Sequence, residues 1–210
     1  SVLIVSNHDI YNYNKILKQR NALLKMFYKD SEKIKNTIDI YDNHLSLNAQ
    51  KIFEKRTEFL SDFIPIFKIR YKQLSYDKEN VEIIHKTDIS KNQSLYKLLK
   101  KNIEKDLRFQ FTTKGIHKDD LTFTINSFSV KKFGSQGQQK TFLIALKLAQ
   151  FDYLSKLKSN PILLLDDIFD KLDDNRVKQI INLVNEEKFN QIFISDTNKI
   201  LSLIHISEPT

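Results

Sequence analysis

Pro161-Ile162-Leu163-Leu164-Leu165-Asp166-Asp167 is the stretch on which the fold turns. A continuous apolar run that stops at two carboxylates reads as a strand buried on both faces of a parallel sheet. The acids then stand at its carboxyl end, where open α/β sheets bind ligands. Helix and strand alternate around it. Gln138 to Leu157 reads as a helix with Phe142, Ala145, Leu146, Ala149 and Tyr153 on one stripe. Asp173 to Asn185 reads as a second amphipathic helix and Gln191 to Ser195 as a second buried strand. That order predicts an α/β sheet.

Further from this stretch the texture differs. From about Ile10 to Leu74 the pattern is helical, with interruptions expected near Asp30-Ser31 and near Ile64-Pro65. Ile16, Leu17, Leu23, Leu24 and Phe27, and later Ile34, Ile38, Tyr41, Leu45, Ile52 and Phe53, recur at helical spacing, the mark of packing faces. From Asp77 short elements take over. Val81 to His85 reads as a strand and Ser94 to Phe109 as one helix. Leu121 to Ile125, turning at Asn126-Ser127 into Phe128 to Val130, reads as a β-hairpin. The expected organisation is a helical lobe over 1–76, an α/β part over 77–200, and a tail over 201–210.

Composition narrows the chemistry. Apolar residues make up 40% and charged residues 29%, as in ordinary globular proteins. With no Cys, thiolate metal sites, disulfides and Cys nucleophiles are excluded. No apolar run reaches the roughly 18–20 residues of a membrane helix, and Ser1-Val2-Leu3-Ile4-Val5 lacks the shape of a signal peptide. A cytoplasmic chain without a membrane partner is expected. The net charge of +8 and the pI near 9.4 point to an anionic partner. However, 29 of the 34 basic residues are Lys, and Lys, Asn, Ile and Phe are the residues that AT-rich codons supply, so a solvated Lys surface accounts for part of the excess. Only Gly115, Gly134 and Gly137 occur, too few and too scattered for a P-loop or a dinucleotide fingerprint.

The candidate site residues follow from the first stretch. Asp166 and Asp167 repel one another, so a cation is expected beside them, and Mg²⁺ suits paired oxygen ligands. Phe133-Gly134-Ser135-Gln136-Gly137-Gln138-Gln139 places small residues and a hydroxyl at a helix start, where free amides and the helix dipole favour an anion such as phosphate. Taken alone, each is more often a solvated strand end or an ordinary Ser-capped turn. Together and in this order they are much less common. His117 with Asp119 and Asp120 reads more readily as a structural loop than as a ligand set. Lys18 and Arg20 read more readily as a solvated helix face than as phosphate contacts.

In sequence order, these pieces resemble the carboxyl half of an ABC-type ATPase head. Ser135-Gln136-Gly137-Gln138 is similar to the signature motif, with Gln136 where transporters usually have Gly. Ile162 to Asp167 is similar to Walker B, with Asp167 where most members have Glu. Asp170-Lys171-Leu172-Asp173 is similar to the D-loop. In Phe193-Ile194-Ser195-Asp196, Asp196 stands at the position of the switch His. The resemblance narrows further. Asn14 to Leu24, Thr113 to Leu121 and Ser135 to Thr141 closely resemble segments of the RecF family, which also carries Asp-Asp at Walker B. The likeness runs from about Tyr11 to Ile200.

The resemblance implies an ATP-dependent DNA-binding protein of replication and gap repair. Its expected partners are single-stranded or gapped DNA, a second copy engaged on ATP, and RecO and RecR, with RecA loading as the outcome. ATP and Mg²⁺ are the expected cofactors, with Asp166 holding the metal through water and Asp167 as the catalytic carboxylate. Ser135, Gln136, Gly137 and Gln138 are expected to serve the nucleotide of the other subunit, with Asp170, Leu172 and Asp173 as the D-loop. An SMC-like head that bridges DNA structurally is the alternative, although Ile10–Leu74 is short for its arms. A helical nucleic-acid module without ATP is a third. The missing initiator Met predicts a piece of a longer chain whose P-loop precedes Ser1. Leu201 to Thr210 is what a common transposase-based sequencing adapter encodes in one frame, so that tail is expected to be non-native.

Overall fold

A computed structural model of the chain describes residues 7–26, 31–90, 93–157, 160–185, 189 and 191–195. The 201–210 tail and Asp196 lie outside the described residues. Helices α1 (Asn7–Met26) and α2 (Ser31–Ser75) come first, then strand β1 (Val81–Lys86) and helices α3 (Leu95–Lys101) and α4 (Ile103–Phe109). A single 3₁₀ turn (Ile116–Lys118) precedes β2 (Asp120–Ile125), β3 (Phe128–Ser129), α5 (Val130–Phe133), α6 (Gln136–Lys156), β4 (Leu163–Asp166), α7 (Asp174–Asn185) and β5 (Ile192–Ser195).

Three sequence expectations are corrected. The predicted break at Ile64-Pro65 is absent, because α2 runs through Pro65. A proline inside a helix forfeits the bond to the carbonyl four residues back, here that of Ser61, and costs about 3 kcal/mol or more. Packing offsets that cost: Phe63, Ile66 and Phe67 on either side of Pro65 are buried. The predicted helix from Ser94 to Phe109 is two helices. Ser94 caps α3 by accepting from the Lys97 amide, and the chain restarts at Asn102. Finally, β4 is not buried on both faces. Leu163 and Leu165 are buried, whereas Leu164 is 62% exposed, with Ile162 at 55% and Phe193 of β5 at 53%. Among the described residues, β4 and β5 form a two-stranded parallel sheet in which Leu163 pairs with Ile192 and Asp166 with Ser195. Two strands and one covering layer leave the second face bare.

The strands β1, β2 and β3 form a second sheet, in that order. The expected hairpin is present: β2 and β3 pair antiparallel, with Thr124 opposite Ser129. Asn126 and Ser127 both take positive φ, 48° and 69°, the twist that a two-residue hairpin loop needs.

The chain separates into two compact units. The first comprises the described residues of Ser1–Ser61 and Ile84–Leu121. Its core joins Tyr13, Leu45, Ala49, Ile52, Leu95 and Leu99, with a second cluster of Leu24, Ile38 and Leu107. Arg20 is fully buried in this unit. Its Nε donates to Asp42 at 2.6 Å, and its Nη1 donates to Asp106 and to the Thr112 hydroxyl, each at 2.8 Å. Arg20 is therefore neither a solvated residue nor a phosphate contact. A buried guanidinium persists only when such partners replace its hydration.

The second unit comprises the described residues of Asp62–Ile83 and Thr122–Thr210. Its core is aromatic: Phe142 of α6 lies 4.7 Å from Phe67, 5.4 Å from Phe123 and 5.7 Å from Tyr71, ring centre to ring centre. Arg70 clamps Asp152 with two bonds, at 2.6 and 2.8 Å. This unit carries the candidate site.

Candidate functional site

The site begins at the start of α6. Ser135 has extended backbone and its hydroxyl accepts from the Gln138 amide at 3.2 Å, while Gln138 Oε1 accepts from the Ser135 amide at 2.9 Å. This reciprocal capping box satisfies two orphan donors and fixes the turn. Gln136 is exposed; Gly137 and Gln138 are half-buried. A methyl group on Gly137 would stand 3.2 Å from the Lys171 carbonyl oxygen, tighter than an ordinary contact. The turn around Gly137 and the turn around Lys171 therefore lie side by side, and their approach depends on the missing side chain.

The carboxylates are held from two directions. Asp166 ends β4, and its Oδ1 accepts from the Ser195 hydroxyl across the parallel pair. Asp167 leaves the strand in a left-handed conformation with φ 49°. Its amide donates to the Ser195 carbonyl at 2.9 Å. Its own carbonyl accepts from the Lys140 ammonium, which stands 3.8 Å from its Oδ2. The cation that the adjacent acids call for is thus supplied in part by α6. Both carboxylates are exposed.

The turn expected to be the D-loop sits on a buried apolar anchor, Ile168 and Phe169. Lys171 is left-handed, φ 64°, and the Leu172 amide donates to the Phe169 carbonyl at 3.3 Å. Asp170 points to solvent, 3.6 Å from the Lys171 ammonium, and Leu172 is half-buried. Asp173 lies outside α7 and not within it as the sequence predicts. Its Oδ1 accepts from the Arg176 amide at 2.9 Å, so it is the helix cap.

Glu79, in the turn before β1, joins these pieces. Its Oε1 accepts from Gln138 Nε2 at 2.9 Å and from Arg176 Nη2 at 3.1 Å, and its Oε2 from the Tyr71 hydroxyl at 2.5 Å. Burial pushes its carboxyl up, but the bonds from Tyr71 and Gln138 and the charge of Arg176 outweigh it and hold the group below the usual 4.5. Arg176 also donates from Nη1 to the Thr141 hydroxyl at 2.8 Å, which donates to the Gly137 carbonyl at 2.7 Å.

Of the residues expected from the sequence, Ser135, Gly137, Asp166, Asp167 and Asp173 all fall in the second unit. Sequence reasoning missed Glu79, Lys140, Arg176 and Ser195, whose roles are long-range. Asp196 directly follows Ser195 but lies outside the described residues. The loop at 116–120 does not form a ligand set. His117 bonds to Tyr13 and Thr112, Asp119 accepts from Arg56, and Asp120 accepts from the Leu121 amide. Among the described residues no group of three or more His, Cys, Asp or Glu is placed to hold a metal ion.

No family model matches the chain. A protein of Flavobacterium johnsoniae named DNA replication and repair protein RecF is 50% identical over 192 residues, 91% of this chain and 53% of that protein. The RecF of Phocaeicola vulgatus is 42% identical over 205 residues, 94% and 54% of the two chains. A solved structure described as the recombination mediator RecF with ATP, in the RecFOR pathway, superposes with a TM-score of 0.75 at 29% identity, covering 92% of this chain and 53% of that one. This chain spans about half the length of the curated relatives it matches. Its fold is the carboxyl half of an ABC-type ATPase head with a helical second lobe. No helix among the described residues is long and apolar enough to cross a membrane.

Proposed function

We propose that this chain, which follows RecF proteins in sequence and fold, is part of an ATP-gated DNA-binding protein of replication and recombinational gap repair. One observation carries the reading: the signature turn, the Walker B carboxylates and the D-loop converge within one compact unit. Gly137 faces the Lys171 carbonyl and Lys140 holds Asp167.

The residues present suit ATP and Mg²⁺. Two exposed carboxylates at a strand end are hard oxygen donors of the kind Mg²⁺ takes. The first turn of α6 offers amides and a hydroxyl to a phosphate. Bound Mg²⁺ would neutralise phosphate charge. Asp166 would hold it, through water, and Asp167 would orient the attacking water and take its proton. Ser135, Gln136, Gly137 and Gln138 would face the nucleotide of a second copy, with Asp170, Leu172 and Asp173 lining the same junction. Asp196 would occupy the switch position. A P-loop would come from residues outside these 210, whose three Gly form none. Gapped or single-stranded DNA, RecO and RecR are the proposed partners, and RecA loading the proposed outcome.

The test uses two variants of the full-length protein. Asp167→Asn breaks a chain's own site, and Ser135→Arg breaks what it lends its partner. Each alone should hydrolyse ATP slowly. Mixed in equal amounts, they should recover roughly a quarter of wild-type turnover, because about half of random dimers are mixed and each keeps one intact site, if sites act independently. Mixed dimers that form on ATP yet hydrolyse no faster than either variant alone overturn the trans assignment.

A further inference from the structure

We infer that Glu79 is a positioning residue that sets the signature turn and the D-loop as one rigid element for the nucleotide of the opposite subunit. The inference rests on the proposed trans site and goes beyond it, because Glu79 lies outside every motif of that site.

Three observations carry it. First, a single carboxylate is shared. Gln138 of the signature and Arg176, three residues after the D-loop's Asp173, both donate to Oε1, at 2.9 and 3.1 Å. Tyr71, fully buried in α2, holds Oε2 at 2.5 Å. Second, each donor is itself bound to the motif it serves. The Gln138 amide group closes the capping box on Ser135, and Arg176 Nε stands 3.3 Å from Asp173 Oδ2. The path Ser135, Gln138, Glu79, Arg176, Asp173 is therefore unbroken. Third, a parallel path runs from Arg176 through Thr141 to the Gly137 carbonyl. A charged acceptor shared by two donors is stronger than a neutral one, and a half-buried network is costly to leave partly satisfied. Displacing the signature turn would break bonds that also seat the D-loop.

The placement has a direction. The path reaches Ser135 and Asp173 and contains neither Walker B carboxylate: Asp166 accepts from Ser195, and Asp167 is gripped by Lys140 of the same helix α6. Loss of Glu79 should thus damage what a chain lends to its partner and spare its own catalytic carboxylate.

The experiment uses the full-length protein. Glu79→Ala should lower homodimer turnover about tenfold and leave ATP binding by the isolated subunit within about twofold. The isosteric Glu79→Gln keeps an acceptor for Gln138 and should stay within about threefold of wild type. The decisive reading is complementation. Mixed with Asp167→Asn, Glu79→Ala should regain roughly a quarter of wild-type turnover, and mixed with Ser135→Arg it should regain none. A general folding defect would complement neither. Should Glu79→Ala melt far below wild type, Arg176→Gln removes one leg and leaves Tyr71, Glu79 and Gln138 joined; it should complement in the same direction. Unchanged turnover in a folded variant overturns the inference, as does complementation of Ser135→Arg instead of Asp167→Asn. If the Ser135→Arg and Asp167→Asn pair itself fails while dimers form, the trans reading falls and the inference with it.

Discussion

Lys140, on the second turn of α6, donates its ammonium to the main-chain carbonyl of Asp167 and stands 3.8 Å from that residue's carboxylate. Helix α6 thus grips the residue that follows β4. The grip helps fix the left-handed turn of Asp167, φ 49°, a conformation that Asp tolerates better than most residues with a Cβ.

Lys140→Ala should therefore act on catalysis more than on binding. In the full-length protein kcat is expected to fall about tenfold, from loss of the set position of Asp167, and KM for ATP to stay within about twofold. Steady-state kinetics check this. A rise in KM with unchanged kcat would place Lys140 in substrate binding instead.

Gly137→Ala presses a methyl group against the Lys171 carbonyl, 3.2 Å away. In the first turn of α6 Ala gains less than the ~1 kcal/mol it gains over Gly in a helix interior, and the neighbour that must give is backbone, so the melting temperature should fall. Turnover should also fall, because the D-loop must move. A variant as active as wild type would show that the D-loop yields without consequence.

The chain of residues 1–210 on its own should bind ATP negligibly, since its three Gly provide no phosphate-cradling loop. Calorimetry with ATP and Mg²⁺ decides. Micromolar affinity would contradict the reading that the phosphate-cradling loop lies outside these residues.

Arg20→Leu should destabilise the first unit by about 3–5 kcal/mol, the cost of leaving buried carboxylates without their cation. Asp42 and Asp106 would both be stranded. Burial already pushes the Asp42 carboxyl up against the pull of Arg20. Arg20→Lys should also fail, because an ammonium cannot reproduce the fork. Urea melts of both variants measure it, and a loss under about 1 kcal/mol would count against the network.

His117 predicts a pH dependence. A carbonyl only accepts, so Nε2 carries the proton that bonds Thr112 at 3.1 Å, and Nδ1 accepts from the Tyr13 hydroxyl at 2.8 Å. Burial, above all, holds this imidazole below the usual 6.5. Its folded value is the lower one, so its contribution is present above 6.5 and is lost as pH falls through the folded value. Melting temperatures followed from pH 7.5 to 5 should fall more steeply for wild type than for His117→Gln. Parallel profiles would show that the histidine does not titrate with unfolding.

The sequence by itself determined the local structure around the site. An apolar run ending in two acids marks where a strand stops, and Ser135 among small residues marks a helix start, although the sequence puts the helix at Gln138 and the structure begins it at Gln136. Both signals depend on neighbours within one turn. The hairpin at Asn126-Ser127 was legible for the same reason. Tertiary structure decided what those signals leave open. Pro65 stays inside α2 because Phe63, Ile66 and Phe67 gain more by burial than the helix loses in one bond. Arg20 reads as a surface residue until Asp42, Asp106 and Thr112, between 22 and 92 residues away, meet it in the core. Glu79 carries no motif at all. Its role comes from a carboxylate placed by the turn before β1 against donors 59 and 97 residues further along. Short-range steric and capping forces act between neighbours in the chain and leave a readable pattern. A shared acceptor acts between neighbours in space, which only the folded chain defines.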